Sequence, residues 1–291
     1  MERTRVTALL LDGHNLLYRS FTSLPPAIVA ADGRPIHAVH GLVSTIQRLS
    51  RELEAEHVVA AFDVPDVPTF RHQLYAAYQG QRGPLGGENA EDFARQVGIA
   101  QRVLPGMGVP AMTAPGYEAD DIMGTLATRV ARRGERAIVV STDRDLLQLV
   151  GPGIEVLSPS NPPIHARESN DVVARLGVPP GGVTTFKALA GDASDNIPGV
   201  RGIGAKTAAD LVNRFGSLES LYESLSALPG RVSLALESGR EAAFLFRTIV
   251  TVATDLELPL DCDNLPTLVY AADARVGSIL KDLGYGRPAP A

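Results

Sequence analysis

The sequence predicts an α/β protein, a mostly parallel sheet covered by helices, followed by a mainly helical part. Three observations predict it. In the first half short apolar runs alternate with helix-period patterns; each of three such runs is closed by an aspartate; and beyond residues 159–163 Pro/Gly punctuation at 179–182 and 198–204 separates helical stretches.

The runs at 6–11, 58–62 and 137–140 are short and rich in branched side chains, as buried strands are. Between the first two, Val39, Leu42, Val43, Ile46, Leu49 and Leu53 recur at helical spacing, and Ala119, Ile122, Met123, Leu126 and Val130 do so before the third. These are core-facing stripes with no chemistry of their own. Residues 68–105 loosen into two tyrosines, then Gly80, Gly83, Pro84, Gly86 and Gly87, then a weak helix through Phe93 and Val97. An excursion of that length is functional or disordered. Residues 286–291, rich in proline and alanine, read as a frayed tail. The expected division is 1–170 and 171–291.

At 291 residues, with 45% apolar and 21% charged positions, the chain is long enough for two domains and ordinary in composition, which excludes disordered, collagen-like and coiled-coil classes. No membrane span or secretory signal is expected, because no stretch of eighteen residues lacks a charge. One cysteine, Cys262, forms no internal disulfide and points to a reducing cytoplasm. The 27 basic residues stand against 33 acidic ones, a net charge of −6, which taken alone argues against nucleic acid. Only three of the basic residues are lysines, so cationic contacts are mainly planar arginine forks suited to phosphate or carboxylate.

Asp12, Asp63 and Asp143 each follow an apolar run, and ligands of open α/β sheets sit at the carboxyl ends of strands. Glu118, Asp120 and Asp121 open a predicted helix, and Asp143 with Asp145 and Asp192 with Asp195 supply further pairs. Taken singly each acid has an ordinary reading, since acids suit a first helical turn and Asp ends strands. Together they do not: two like charges about 4 Å apart repel by roughly 4 kcal/mol at an effective dielectric of 20. Such a cluster protonates, spreads or holds cations, and a carboxylate-only site favours Mg²⁺ or Mn²⁺. With nine acids assigned to one cleft, 24 remain against 27 basic residues, so the rest of the surface is compatible with a phosphate-bearing polymer.

Residues 199–208, Gly-Val-Arg-Gly-Ile-Gly-Ala-Lys-Thr-Ala, place two glycines around one apolar residue ahead of a helix carrying Ala208, Leu211, Val212 and Phe215. This is similar to a helix-hairpin-helix turn. Its glycines permit close backbone approach, the following helix offers free N–H groups to an anion, and Lys206 adds charge beside them. An ordinary Gly-rich helix connection is the alternative. Contacts of this kind carry no base specificity.

Leu11-Asp12-Gly13-His14-Asn15, Ala61-Phe62-Asp63, Phe70-Arg71-His72, Gly116-Tyr117-Glu118-Ala119-Asp120-Asp121, Ser141-Thr142-Asp143-Arg144-Asp145 and Gly191-Asp192-Ala193-Ser194-Asp195-Asn196 form an ordered set. With the hairpin, the set resembles the 5′-nuclease family: the 5′→3′ exonuclease domain of bacterial DNA polymerase I and the related flap endonucleases. The resemblance implies a PIN-like domain, a helical arch at about 68–105 and a helix-three-turn-helix at about 185–220. It implies two-metal-ion hydrolysis of DNA, with two or three Mg²⁺ or Mn²⁺ ions. Asp12, Asp63, Glu118 and Asp120 would surround the first metal, Asp143, Asp145 and Asp195 the second, with Asp121 and Asp192 behind them. A monovalent cation such as K⁺ is implied at the carbonyls of Val200 and Ile203, and DNA contacts at Arg201, Gly202, Gly204 and Lys206.

In the arch, Tyr78-Gln79-Gly80-Gln81-Arg82 resembles a stretch in which a ring stacks a base and two cations grip the scissile phosphate, but Gln79 stands where lysine is expected. Losing that cation costs on the order of a few kcal/mol of transition-state stabilisation, with Arg82 retained and Arg71 near enough to compensate. The implied substrate is DNA with 5′ flaps, nicks or 5′ ends, in a bacterial, nucleoid-associated setting, with a DNA polymerase or other replication protein as partner and a monomeric enzyme. Two alternatives stand beside it: a flap-binding protein that cleaves poorly, and a PIN-type ribonuclease.

Overall fold

The first apolar run becomes the central strand β1 (Thr7–Asp12), whose six residues are all buried. A strand covered on both faces has no polar side to alternate with, which is why it reads as a continuous apolar run. The computed structural model describes residues 7–30, 33–83, 86–160, 162–260 and 264–268. Cys262, Lys281, Pro84 and the proline-rich end lie outside them.

Helices α1 (Gly13–Ser23) and α2 (His37–Glu52) lead to β2 (His57–Ala61). After α3 (Phe70–Leu74) and α4 (Ala90–Val103) come β3 (Ala111–Met112), α5 (Ala119–Arg132), β4 (Arg136–Val140), β5 (Ile154–Ser158) and β6 (Ile164–Ala166). The sheet order is β3-β2-β1-β4-β5-β6, parallel except for the antiparallel β5 and β6. The chain reverses its direction of progress between β1 and β4, so the crevice at their carboxyl ends is the natural ligand position.

Alternate residues of the sheet serve two cores. Leu9, Leu11, Val58, Ala60, Ile138 and Val140 pack with α1, α2 and α4. Ala8, Leu10, Val59, Ala61 and Val139 face α5 and the helices beyond residue 178. Those helices are α7 (Val183–Ala190), α8 (Ala205–Phe215), α9 (Leu218–Glu223), α10 (Gly230–Ser238) and α11 (Arg240–Val250), with α11 packed along α7; α6 (Ser169–Leu176) precedes them and adds Val172 to the same core. No helix among the described residues is long and apolar enough to cross a membrane.

The structure departs from expectation in two places. The change to helices placed at 159–163 is instead where β5 and β6 turn back on each other. β5 is only partly buried, and Glu155 on it pairs with Arg136 at 2.6 Å, which interrupts the apolar pattern. The loose excursion of 68–105 also divides: Phe93, Val97, Ala100 and Val103 set α4 into the core beside α1 and α2, while Tyr78 in the turns after α3 packs with Ala188, Ile197 and Phe246 in a smaller cluster.

After α11 the chain crosses back over α5. A Cβ on Gly124 would lie 2.5 Å from Val252, so only glycine lets this strap lie down. Gln148 clamps it, donating to the Val250 carbonyl and accepting from Val252 N, both at 2.9 Å.

Candidate active site

Eight acids line one cleft of about 550 Å³ at the carboxyl ends of β1, β2 and β4: the seven expected there, Asp12, Asp63, Glu118, Asp120, Asp143, Asp145 and Asp195, and Asp66 in the loop after β2. Each is placed by backbone geometry. Asp12 ends β1 and caps α1, accepting from Asn15 N at 3.0 Å, while Ser141 Oγ reaches across from the end of β4 to its second oxygen at 2.8 Å. Asp63 follows β2 and accepts the first N–H of α5 from Ala119 at 2.8 Å. Ser141 Oγ in turn accepts from Asp143 N at 3.0 Å, and Asp143 Oδ1 accepts from Asp145 N at 2.8 Å. His14 accepts from Asp63 N at 3.1 Å and packs edge-on against Phe62. Burial lowers its pKa, which makes it a neutral brace for the Asp63 loop.

Burial pushes the Asp12 carboxyl up to about 7, with Asp63 and Asp143 adding to the shift against the bonds from Asn15 and Ser141. Burial likewise raises Glu118 to about 7 despite Arg71 beside it. Asp120 is raised well above the ordinary carboxylate range by burial and by Asp143, Asp12, Glu118 and Asp63. Asp143 and Asp195 are raised too, burial again leading. A cleft of this kind holds its full negative charge only against cations.

The second group is tighter. One carboxylate oxygen each from Asp145, Asp192 and Asp195 lies within 4.8 Å of the others. The buried Asp145 Oδ1 makes no hydrogen bond and meets only the ammonium of Lys187, which also pairs with Asp192. Burial would raise Asp192, but Lys187 and Ser194 hold it down to about 2. All donors are hard oxygens, so the set fits a divalent ion of the Mg²⁺ or Mn²⁺ kind.

Four expectations need correction. Asp121, expected behind the metals and included among their candidate ligands, has no lone pair to offer. Its oxygens accept from Arg71 at 2.6 and 2.8 Å, Glu118 N at 3.0 Å and Ala253 N at 2.8 Å, filling the roughly four positions of a carboxylate. Arg71 is correspondingly unavailable to DNA: it is 3% exposed and also donates to the carbonyls of Ile249 and Thr251. Tyr78 is 4% exposed, edge-on to His72, with its hydroxyl donating to Glu118 Oε2 at 3.1 Å, so it presents no face to a base. Gln79 does not reach outward either, because its carboxamide donates to Tyr78 Oη at 2.9 Å and to Asp195 Oδ1 at 3.0 Å. Arg82 stands at the cleft as expected, half exposed, 2.6 Å from Asp195 Oδ1.

Two cleft residues, Tyr18 and Asp66, were missed, and so was Lys187 behind the cleft. Lys187 is the one charged residue of α7, between Phe186 and Ala188, and that lone charge was the available signal. Tyr18 is 38% exposed and shares the cleft with His14 and Asn15, which the i, i+3/i+4 spacing along α1 foreshadows.

Beyond the cleft, α7, the loop 191–204 and α8 form the hairpin. Gly199 has φ 68°, and a Cβ there would lie 2.4 Å from Gly191 N, so glycine is required. Arg201, Gly202, Gly204 and Lys206 are exposed around the start of α8, while the side chains of Val200 and Ile203 are buried.

Comparison with known proteins adds the following. Residues 7–177 match the model of the 5′-3′ exonuclease, N-terminal resolvase-like domain, and residues 178–272 that of the 5′-3′ exonuclease, C-terminal SAM fold. The thermostable DNA polymerase I of Thermus filiformis is 36% identical over 293 residues, covering 98% of this chain and 34% of the relative. DNA polymerase I of Mycobacterium bovis is 36% identical over 267 residues, covering 91% and 29%. The chain thus spans about a third of the length of the curated relatives it matches. Among solved structures, bacteriophage T5 5′-exonuclease with bound divalent zinc ions superposes with a TM-score of 0.70 at 24% identity, covering 95% of this chain and 98% of that one. Flap endonuclease-1 from Methanococcus jannaschii gives 0.56 at 19% identity, covering 97% and 92%. At these identities the structures speak to the fold.

Proposed function

The chain belongs to the 5′-3′ exonuclease family, and from that premise we propose that it is a divalent-metal-dependent, structure-specific 5′ nuclease. It hydrolyses DNA phosphodiester bonds as a 5′→3′ exonuclease and flap endonuclease in replication and repair. The observation that carries this reading is the gathering of eight carboxylates from distant parts of the chain into one cleft.

Asp12, Asp63, Glu118 and Asp120 are the proposed holders of a first Mg²⁺ or Mn²⁺ ion, and Asp143, Asp145 and Asp195 of a second. When bound, such ions supply Lewis-acid charge and a water acidified enough to attack at neutral pH. The chain's own residues do the rest. Ser141 fixes Asp12 and Asp143 relative to each other, and His14 holds Asp63. Arg82 offers a partly exposed guanidinium to the scissile phosphate, with Lys187 as the buried counter-charge behind Asp145 and Asp192. Tyr18 is the exposed ring at the mouth and takes the stacking role that Tyr78 cannot.

The hairpin grips the duplex through Lys206, Arg201 and the first N–H groups of α8. A monovalent cation such as K⁺ at the carbonyls of Val200 and Ile203 completes it; the Val200 carbonyl already accepts from Ile203 N at 3.0 Å and would be shared. A DNA polymerase, in the same chain or another, is the proposed partner, since the matched relatives are DNA polymerase I chains. The proposed setting is the bacterial nucleoid, with the enzyme acting as a monomer.

The test is incubation with end-labelled flap, nicked and single-stranded DNA in Mg²⁺, Mn²⁺ or chelator, with Asp143→Asn as control. Flap cleavage is expected with either metal, none in chelator, and none by the variant, which still binds the flap. Binding without cleavage in every metal would refute hydrolysis in favour of a junction-binding protein. Cleavage confined to structured RNA would refute a DNA substrate.

A further inference from the structure

Gln79 stands where the segment after α3 crosses from one bank of the acidic cleft to the other. Its backbone adopts φ 52°, in the left-handed region that a non-glycine residue takes only when its surroundings impose it. They do so here on both sides: Gln79 N donates to the Asp195 carbonyl at 3.0 Å, and Arg82 N donates to the Gln79 carbonyl at 2.8 Å.

The side chain continues the crossing. Gln79 Nε2 donates one hydrogen to Asp195 Oδ1 at 3.0 Å and the other to Tyr78 Oη at 2.9 Å, and Tyr78 Oη donates its single proton to Glu118 Oε2 at 3.1 Å. The polarity of this chain is forced. Both ends accept once the cleft holds cations and its carboxyls are ionised, so the tyrosine hydroxyl then has to point its proton at Glu118 and accept from its neighbour. The neighbour therefore needs two hydrogens on one atom, which a carboxamide nitrogen supplies without adding charge.

We propose that Gln79 is a positioning residue that, through the Tyr78 hydroxyl, fixes Glu118 and Asp195, one carboxylate from each proposed cation position, relative to each other. This rests on the metal reading above. The arrangement is separable from simple fastening of the segment. Asn196 Nδ2 donates to the Ala77 carbonyl at 2.7 Å, Arg82 Nε to the Ser194 carbonyl at 3.0 Å, and Gln81 Nε2 to the Ala193 carbonyl, so the segment stays docked without the Gln79 amide. Partners that orient metal-binding carboxylates in this way govern metal affinity by about ten- to a hundredfold.

The experiment is a Mn²⁺ titration of the full chain without DNA, with free Mn²⁺ read by electron paramagnetic resonance, for wild type, Gln79→Met, Tyr78→Phe and the double variant. Gln79→Met is expected to raise the Mn²⁺ dissociation constant about tenfold or more, while its melting temperature in chelator stays close to wild type. Because both variants cut the same chain, the double variant is expected to lose little beyond the worse single one. Wild-type Mn²⁺ affinity in Gln79→Met, or fully additive losses, would overturn the proposal. Should Gln79→Met fail to fold, Gln79→Leu, which is also uncharged and can donate to neither Asp195 nor Tyr78, carries the same expectation and is overturned by the same result. A wild-type protein that takes up no Mn²⁺ refutes the metal reading itself, and shows this before any variant is compared.

Discussion

Replacing Asp12 by asparagine separates what the acidic cleft costs the fold from what it contributes to chemistry. The Asp12 carboxyl is pushed from 3.8 to about 7, and at 1.36 kcal/mol per unit its ionisation inside the protein costs about 4 kcal/mol relative to the unfolded chain. The sign follows from proton binding. Between about pH 4 and pH 7 the unfolded chain has lost this proton and the folded one keeps it, so stability falls as pH rises through that window and the full loss is present above it. Asparagine keeps the shape and removes the charge, and its Oδ1 still accepts from Asn15 N, but the Ser141 hydroxyl must reverse to face an amide. Weakening those charge-assisted bonds offsets about half of the gain. A net gain of about 2 kcal/mol corresponds to about 4–8 °C for a protein of this size.

The assay is thermal unfolding in chelator at pH 8 and pH 5, with parallel flap cleavage in Mg²⁺. Asp12→Asn is expected to melt higher than wild type at pH 8, to lose most of that advantage at pH 5, to gain little from added Mg²⁺ and to cut no DNA. An unchanged or lower melting temperature at pH 8 refutes the argument. So does a metal-free wild type whose stability is flat between pH 5 and pH 8.

Three further outcomes are expected. Arg71→Met strands the buried Asp121 carboxylate, costing about 3–5 kcal/mol and lowering the melting temperature by about 10 °C; a shift below 2 °C would show that the pair does not stabilise the fold. Lys206→Ala weakens duplex binding and reduces the slope of log affinity against log salt by about one, and an unchanged slope removes its phosphate contact. Tyr18→Ala weakens flap binding by about 1–3 kcal/mol with little effect on melting, since the ring is partly exposed, and wild-type flap affinity would remove its stacking role.

Much of this was legible in the order of residues, for physical reasons that can be named. β1, β2 and β4 are covered by helices, so their apolar runs are unbroken and each aspartate beyond them falls at a strand end. β3 has two residues and too little length for any period, and β5 is interrupted by the paired Glu155. The acids could be collected by motif, but their partners could not. That Asp121 spends every lone pair on Arg71 and two backbone amides depends on contacts from residues 71 and 253, and nothing local to the helix start distinguishes it from Asp120. The same holds for Tyr78, whose burial against Glu118 is a tertiary fact; an aromatic in a Gly-rich stretch reads equally well as exposed.

The strap over α5 bears on how the molecule can be divided. The two family segments meet at residues 177 and 178, yet the ion pair between Arg71 and Asp121 is completed by Ile249, Thr251 and Ala253, and Gln148 by Val250 and Val252. Severing the polypeptide at that junction would leave the first segment with a buried guanidinium and carboxylate robbed of neutral partners, and a bare groove along Gly124. These shared contacts couple the two segments, so they are expected to melt together in one transition. A transplant of either half into another scaffold succeeds only if its counterpart travels with it.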